Sequence, residues 1–512
     1  MQFRSPSRPI VVVGAGIAGL SAAYELSRGG IPVLVLERAP RAGGLILTER
    51  IDGFLIDGGP DSLLVQKPAA IALCRELGLG DRLLPTCPPR TAFILRGGRL
   101  HPLPEASVLG IPTRVAPLAG TRLFTWPGKL RMAMEALVPP SRGRTDESIG
   151  SFMRRRFGCE AVDYLAEPLM AGIHAGDVDL LSLASAFPRF REIERTRGSL
   201  IRALRSLARP PSADGVFRSL PGGIGEMVDA ILRALAPGIV RCGAGVAAIE
   251  GPWPGRDPRT PGAGRIGPSP STRLGAGKLG PYEPSESGGA GRQPSAHLVR
   301  LDSGDTIEAS AIVLATPAYA AADLVAPVDA ELAALCRAVP YASTSTVALG
   351  YPRDAVRHPL NGSGFIVPRV ERATRIMAAS WMSSKWPGRA PEGHVLMRAF
   401  VGGMRNPELF ELDDEAVAAL AHRDLSRLLG IDRTPSLVRV YRWPRSNAQH
   451  NVGHLERMAR IDARLREFPG LFVTGSGFRG TGIPDCVEDG RAVARQAAEY
   501  VVSTTGTSGR GL

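Results

Sequence analysis

Near its N-terminus the chain reads Gly14-Ala15-Gly16-Ile17-Ala18-Gly19, three glycines at the spacing that lets backbone approach a diphosphate. In that pattern the first glycine permits a tight turn, the second admits the pyrophosphate, and the third lets a helix pack closely on a strand. Amides at the helix start then face the anion. Glu37 closes the next apolar run, placed to accept both hydroxyls of a ribose. Its charge would repel a 2′-phosphate, which argues against NADP. No Ser/His/Asp order, HExxH pair or metal-ligand cluster is visible. His174 and His454 stand alone, and an isolated histidine is more often structural than catalytic, so no acid–base residue is assigned.

These residues need elements to hold them. Ile10-Val-Val-Val13 is a run of apolar β-branched side chains, suited to a parallel strand covered on both faces. Ile17, Leu20, Ala23, Tyr24 and Leu26 recur at helical spacing over 17–28, and Val33-Leu-Val-Leu36 supplies a second strand. The result is a βαβ unit with the glycines at its first turn. Two further features favour FAD over NAD. Arg38 leads through Arg41 to a second glycine pair, Gly43-Gly44, and Phe54-Leu-Ile-Asp57-Gly58-Gly59-Pro60-Asp61-Ser62 adds another strand and turn. Near the C-terminus, Leu471-Phe-Val-Thr474 runs into Gly475, Gly477, Gly480 and Gly482-Ile483-Pro484-Asp485, with a helix expected from about Val487. Its N-terminus would offer amides to a flavin edge, so both ends of the chain build one cofactor site. Weaker strand signals fall at 92–95, 246–249, 311–314, 346–350, 395–401 and 471–474, and arginine-rich helical patterns dominate 128–210.

Length and composition fit this reading. A chain of 512 residues with 44% hydrophobic content can bury two or three interleaved cores. Lys and Arg outnumber Asp and Glu 62 to 49, a net charge of +13 that suits an anionic substrate or surface. Nucleic acid is not expected as a partner: the arginines are dispersed, aromatics are 5%, and no nucleic-acid-binding motif is present. Six scattered cysteines suggest neither a disulfide framework nor zinc, hence a reducing compartment. With no signal-peptide core and no long apolar span, a cytoplasmic protein is expected. Residues 251–296 are crowded with Gly and Pro and read as a disordered insertion between two strands.

The stretches above resemble the flavin amine oxidase superfamily and, within it, the porphyrinogen oxidases of haem biosynthesis. The likeness spans nearly the whole chain outside 251–296. It rests on Gly58-Gly-Pro-Asp-Ser62, Glu167-Pro-Leu-Met-Ala-Gly-Ile-His-Ala-Gly-Asp177 with Leu181-Ser-Leu183, Trp386-Pro387 through Pro391-Glu-Gly393, Val452-Gly-His454 and Gly482-Ile-Pro-Asp-Cys486. The Ala171–Asp177 stretch is the most specific, since generic FAD oxidases have nothing similar. The resemblance implies an α/β (mixed α+β) fold: a Rossmann-like FAD domain, an interleaved substrate domain with a mixed sheet, and a helical subdomain. Residues 9–90, 216–250 with 297–320, and 441–503 would form the FAD domain. Residues 91–215 would be the helical, membrane-facing part and 321–440 the substrate domain.

Carried over by position, noncovalent FAD would be held by Gly14, Ala15, Gly16, Gly19, Glu37, Arg38, Gly43, Gly44, Gly59, Pro60, Asp61, Val246, Trp443, Ile483 and Pro484. Val246 would meet the adenine through its backbone. Trp443 stands where the family has a flavin-neighbouring aromatic, although a lone tryptophan serves a core equally well. The implied activity is a six-electron, oxygen-using oxidation of a porphyrinogen that yields peroxide. The implied surroundings are the inner face of a membrane and a downstream haem-pathway enzyme. Relatives acting on protoporphyrinogen carry an arginine on the strand before Leu100-His-Pro-Leu-Pro104, thought to hold a propionate; here Ala92 occupies that place. Arg90 lies two residues earlier, on the same face if the strand reaches it. Gly362-Ser363-Gly364 replaces a usual Gly-Phe-Gly, with Phe365 following. Both departures resemble the Gram-positive type that oxidises coproporphyrinogen III, whose four propionates ask for cations. Arg90, Lys67 and Phe365 are the candidate substrate contacts. Protoporphyrinogen IX is the alternative, and another flavin amine oxidase or a desaturase the more distant one.

Overall fold

Ile10–Val13 is buried along its whole length because helices and strands cover both faces of its sheet. In the computed structural model the described residues are 8–104, 107–108, 111–112, 115–141, 143, 145–207, 214–253 and 296–506. The nucleotide sheet is five-stranded and parallel, in the order Val240–Cys242, Val33–Glu37, Ile10–Val13, Ala311–Leu314 and Leu471–Val473. Alternation divides its side chains between two cores. Ile10 and Val12 join Leu20, Ile231 and Ala494 on one face, and Val11 and Val13 join Leu332, Ile461 and Phe478 on the other. The first and last thirds of the chain therefore share one sheet, as the glycine motifs at both ends require.

The second sheet is larger and mixed. Its seven strands run in the order Leu437–Ala448, Tyr341–Pro352, His394–Gly402, Ala378–Trp381, Gly364–Ile366, Ala92–Arg96 and Arg99–Pro102. One face is sealed by the helix Asp414–Leu429, which buries Val417, Leu420, Ala421 and Leu425 against Val347, Met397, Ala399 and Trp381. The other face meets the nucleotide domain and a helical unit whose core unites Phe152, Phe157, Leu165, Leu183 and Leu200.

Several expected boundaries move. The strands foreseen at 346–350 and 395–401 extend to Tyr341–Pro352 and His394–Gly402. The last helix starts at Ile483, not Val487, because Pro484 fits the first turn, where its missing N–H is no loss. Helices Ala318–Val325 and Ala330–Arg337 pack in the nucleotide-domain core, and strand Leu437–Ala448 runs across position 441. The expected 321–440 unit therefore ends inside an element at both sides. Of the 251–296 stretch, residues 254–295 lie outside the described residues. Trp253 does not fit an unstructured reading. It is 6% exposed, its Nε1–H donates to the Pro469 carbonyl at 3.1 Å, and its ring packs edge-on against Phe468.

Candidate active site

The cradle of Gly14, Gly16 and Gly19 has the three-part form its spacing predicts. Gly14 adopts φ +105°, a conformation costly for any side chain. A Cβ on Gly19 would collide with the Gly14 carbonyl, so that glycine sets the helix–strand distance. A Cβ on Gly16 meets nothing within 4 Å, because the N-terminus of helix Ile17–Arg28 opens there onto free space. A diphosphate fits that space, facing unpaired helix-start amides. The Gly43 amide donates to the Ala15 carbonyl at 2.8 Å, and Gly44 follows beneath Gly16. Arg41 holds this loop through bonds to the Ala42, Gly44 and Ile46 carbonyls, a brace that motif reading missed. Glu37 ends its strand with one carboxylate oxygen accepting from Ala15 N–H at 2.7 Å and the other from Ala39 N–H at 2.8 Å. Arg38 reaches the Val246 carbonyl at 3.5 Å, which places both beside Glu37 at the nucleoside end. These residues fit FAD.

The Gly58–Asp61 turn lies between the two sheets. A Cβ on Gly58 would press into the Tyr441 ring, one on Gly59 would strike the Leu45 carbonyl, and Trp443 Nε1–H donates to the Gly58 carbonyl at 3.0 Å. Trp443 is thus beside the turn, bracing it from the large sheet. Pro60 follows Gly59 within it. Asp61 accepts from Lys385 Nζ at 2.7 Å and from Trp386 Nε1–H at 3.3 Å, and Arg398 Nη2 lies 3.7 Å away. Burial alone would raise its pKa, but Lys385 and Arg398 outweigh that and hold it well below the usual carboxylate range. Asp57 is the opposite case. Burial pushes its pKa up despite Arg389, while its Oδ1 accepts from Thr48 Oγ1 at 2.6 Å and Ile224 N–H at 3.0 Å. Arg398 also donates to the Asp57 and Gly59 carbonyls, so a strand of the large sheet shapes the turn.

At the C-terminal end, Asp489 accepts from Thr474 Oγ1 at 2.6 Å and Gly475 N–H at 3.1 Å, fixing the strand-to-loop bend. Ile483 and Pro484 form the first turn of the last helix. His174 ends the helix Glu167–His174, 3.3 Å from Thr481 Oγ1. Burial, then the charges of His450 and Lys67, pushes its pKa down to about 4, so the ring is neutral near pH 7. A ring of that low basicity accepts a proton only weakly.

The three expected substrate contacts fare differently. Strand pairing puts Phe365 opposite Phe93 and Ala379, on the face sealed by Asp414–Leu429. At 2% exposure it is core, turned away from the cofactor side. The strand starts at Ala92, so Arg90 lies off it, with Nε bound to the Thr86 carbonyl and hydroxyl at 2.9 Å. Lys67 is paired with both oxygens of Asp485 at 2.7 Å. Parity instead turns Ala92, Gly364, Ile366, Ala378, Ser380, Arg398 and Phe400 to the opposite face, which the nucleotide domain and the helical unit share, with Ile94 of the same face buried in the helical unit's core. Arg398 was legible in principle: a lone charge in an apolar strand run asks for a buried partner.

The sequence matches the family model of flavin containing amine oxidoreductases over residues 17–258 and 291–498. It is 34% identical to the coproporphyrinogen III oxidase of Bacillus subtilis (strain 168), with 96% of this chain and 98% of that protein covered. It is 29% identical to the chloroplastic protoporphyrinogen oxidase of Nicotiana tabacum, with 96% and 85% covered. Among solved structures, a protein from Exiguobacterium sp. 255-15, provisionally named a protoporphyrinogen oxidase, superposes with a TM-score of 0.80 at 29% identity, covering 96% of this chain and 99% of that one.

Proposed function

The chain belongs to the flavin containing amine oxidoreductase family, with FAD as its cofactor, and from that premise we propose that it oxidises coproporphyrinogen III to coproporphyrin III with oxygen as acceptor. The observation that carries the reading is the cofactor-facing side of the large sheet. There Ala92, Gly364, Ala378 and Ser380 carry small side chains or none, while Ile366 and Phe400 supply apolar contact for the puckered, apolar ring of a porphyrinogen. FAD held by these residues would supply a two-electron acceptor, so removing six hydrogens would take three rounds, with three O2 as final acceptors and three H2O2 as products. The residues of the chain position the macrocycle and exclude water. Trp443 and Arg398 hold the Gly58–Asp61 turn, and the neutral ring of His174 adds no charge near the C-terminal loop.

The test is direct. Acid precipitation of purified protein should release its flavin into the supernatant. Initial rates in air should be higher on coproporphyrinogen III than on protoporphyrinogen IX, and should collapse without oxygen. A faster reaction with protoporphyrinogen IX would reassign the substrate.

We also propose peripheral contact with an anionic membrane. Trp126, Leu130, Met134 and Leu137 are 73, 64, 45 and 75% exposed along Trp126–Ala133 and the turn after it. Lys129 lies 4.4 Å from the Trp126 ring centroid, and Arg122 is exposed nearby. Apolar stripes flanked by cations suit a lipid interface. No helix among the described residues is long and apolar enough to cross a membrane. Flotation with phosphatidylserine vesicles should carry the protein, and the triple variant Trp126→Ser/Leu130→Ser/Leu137→Ser should stay behind; equal flotation of both would refute the contact.

A further inference from the structure

Ala92 pairs with Gly364, Gly364 with Ser380, and Ser380 with Arg398, so four neighbouring strands form one transverse row. Three of its members carry little or no side chain. At about 4.8 Å per strand they leave a trough roughly 10 Å long that ends at a guanidinium. That end is electrically unbalanced. Among the described residues, Lys385, Arg389 and Arg398 pair with Asp57 and Asp61, three cations against two carboxylates. The side chains of Arg389, Arg398, Asp57, Asp61 and Lys385 are 0, 3, 0, 11 and 12% exposed. Glu226, the next acidic group facing Arg389, is already paired with Arg82 at 2.8 Å. Among the described residues, Arg398 Nε, Arg389 Nε and Nη1 have no hydrogen-bond partner; nor does Asp57 Oδ2, which lies 3.3 Å from Arg389 Nη2, so the unmet groups are three donors against one acceptor. A buried cation lacking an anion is strongly disfavoured, so the cluster is complete only when a negative group joins it. Lys385 is the most exposed member of the cluster, and its ammonium lies 5.6 Å from the centroid of the 40%-exposed Phe217 ring, so the cluster is nearest to solvent at that end.

We propose that Lys385 and Arg398, at the end of the Ala92–Gly364–Ser380 trough, form a subsite that receives one carboxylate of the substrate. The idea rests on the porphyrinogen reading, since a macrocycle lying on this face carries carboxylate arms that reach outward along such a trough. It also explains how the chain manages with an alanine at position 92. The charge that would stand at one edge of the face is supplied three strands away, on His394–Gly402, and the small residues between make the path. The other anion that could use the surplus charge is the negative edge of the flavin ring, and the experiment separates the two.

Coproporphyrin, the stable product, would be titrated into the FAD-loaded protein alongside its tetramethyl ester. Wild type should prefer the acid. Lys385→Met, compared with wild type at equal bound flavin, should weaken acid binding about tenfold, leave ester binding unchanged, and raise KM far more than it lowers kcat; Lys385→Arg should restore most of the loss. Ser380→Leu, which fills the trough without touching the charges, should weaken both ligands and keep the flavin spectrum. Equal losses for acid and ester in Lys385→Met, or no loss in either, would overturn the subsite. A shifted flavin potential with unchanged preference for the acid would assign the charge to the flavin instead. If wild type neither binds coproporphyrin nor oxidises the porphyrinogen, the functional reading fails, and the subsite with it.

Discussion

The glycines of the cradle have separable jobs, and substitution can tell them apart. Gly16 opens on free space at an ordinary backbone angle, so Gly16→Ala should fold with a melting temperature within about 2 °C of wild type. Its methyl would occupy the diphosphate position, and flavin content should fall below about a tenth. Gly19→Ala drives a methyl into the Gly14 carbonyl and should cost about 1–3 kcal/mol of stability, flavin or none. Melting curves with flavin-to-protein ratios decide it: equal destabilisation by both would show that the roles are not divided. Sequence exposed these positions well because their constraint is local, a tight turn and a close approach within a few residues. It served poorly for Phe365 and Arg90. Which face Phe365 takes depends on its pairing with Ala379, and whether Arg90 joins the face depends on where the strand begins. Both are set by distant partners.

Two elements tie the cofactor loops to the rest of the fold. His450 and His454 stack with ring centroids 3.8 Å apart, and their Nε2–H groups donate to the Ser476 and Phe478 carbonyls at 2.9 Å. Burial, helped by His450 itself, pushes His454 down to about 4, and burial also lowers His450, with Asp485 pulling the other way and Arg457 adding to the drop at His454. Both folded-state values lie below the ordinary 6.5, so the unfolded chain binds more protons as the pH falls. Stability is full above about pH 6.5 and declines toward pH 4, at about 1.4 kcal/mol per pH unit for each excluded proton. The melting temperature should drop accordingly, with a shallower slope in His454→Phe; parallel slopes would exclude this ring as the cause. The second element is the hairpin of Val246–Glu250 and His297–Leu301, where Glu250 pairs with Leu298 across the connection. Deleting 255–292 keeps Trp253 and this ladder, so flavin content and turnover should stay near wild type. A large loss of either would give the segment a role in the site. Strand and helix cores were readable from β-branched runs and helical spacing. The Asp57–Asp61–Lys385–Arg389–Arg398 cluster was not, because it is assembled from segments more than three hundred residues apart, as with Lys385 and Asp61.

At the scale of the whole molecule, a net charge of +13 surrounds a cleft proposed to admit a four-carboxylate substrate. Many of the cations are locally spent, as in the pairs of Arg491 with Glu25 and Glu76 that bind the last helix to Ile17–Arg28 and to Ala69–Glu76. Paired surface charges contribute little to stability, about 0–1 kcal/mol each. The unpaired excess still shapes the long-range field, which raises the local concentration of an anion and its encounter rate. Such steering is screened as the Debye length shrinks from about 10 Å at 0.1 M salt to about 3 Å at 1 M. The buried Lys385–Asp61–Arg398 contacts are screened far less. Capture and chemistry should therefore separate on a salt titration. Raising NaCl from about 0.02 to 0.5 M should lower kcat/KM for coproporphyrinogen III roughly tenfold while kcat changes less than about twofold. Protoporphyrinogen IX, with half the carboxylates, should show a smaller drop in kcat/KM. If kcat fell in parallel with kcat/KM, the salt would be acting on the site itself, and charge steering would play no part in substrate capture.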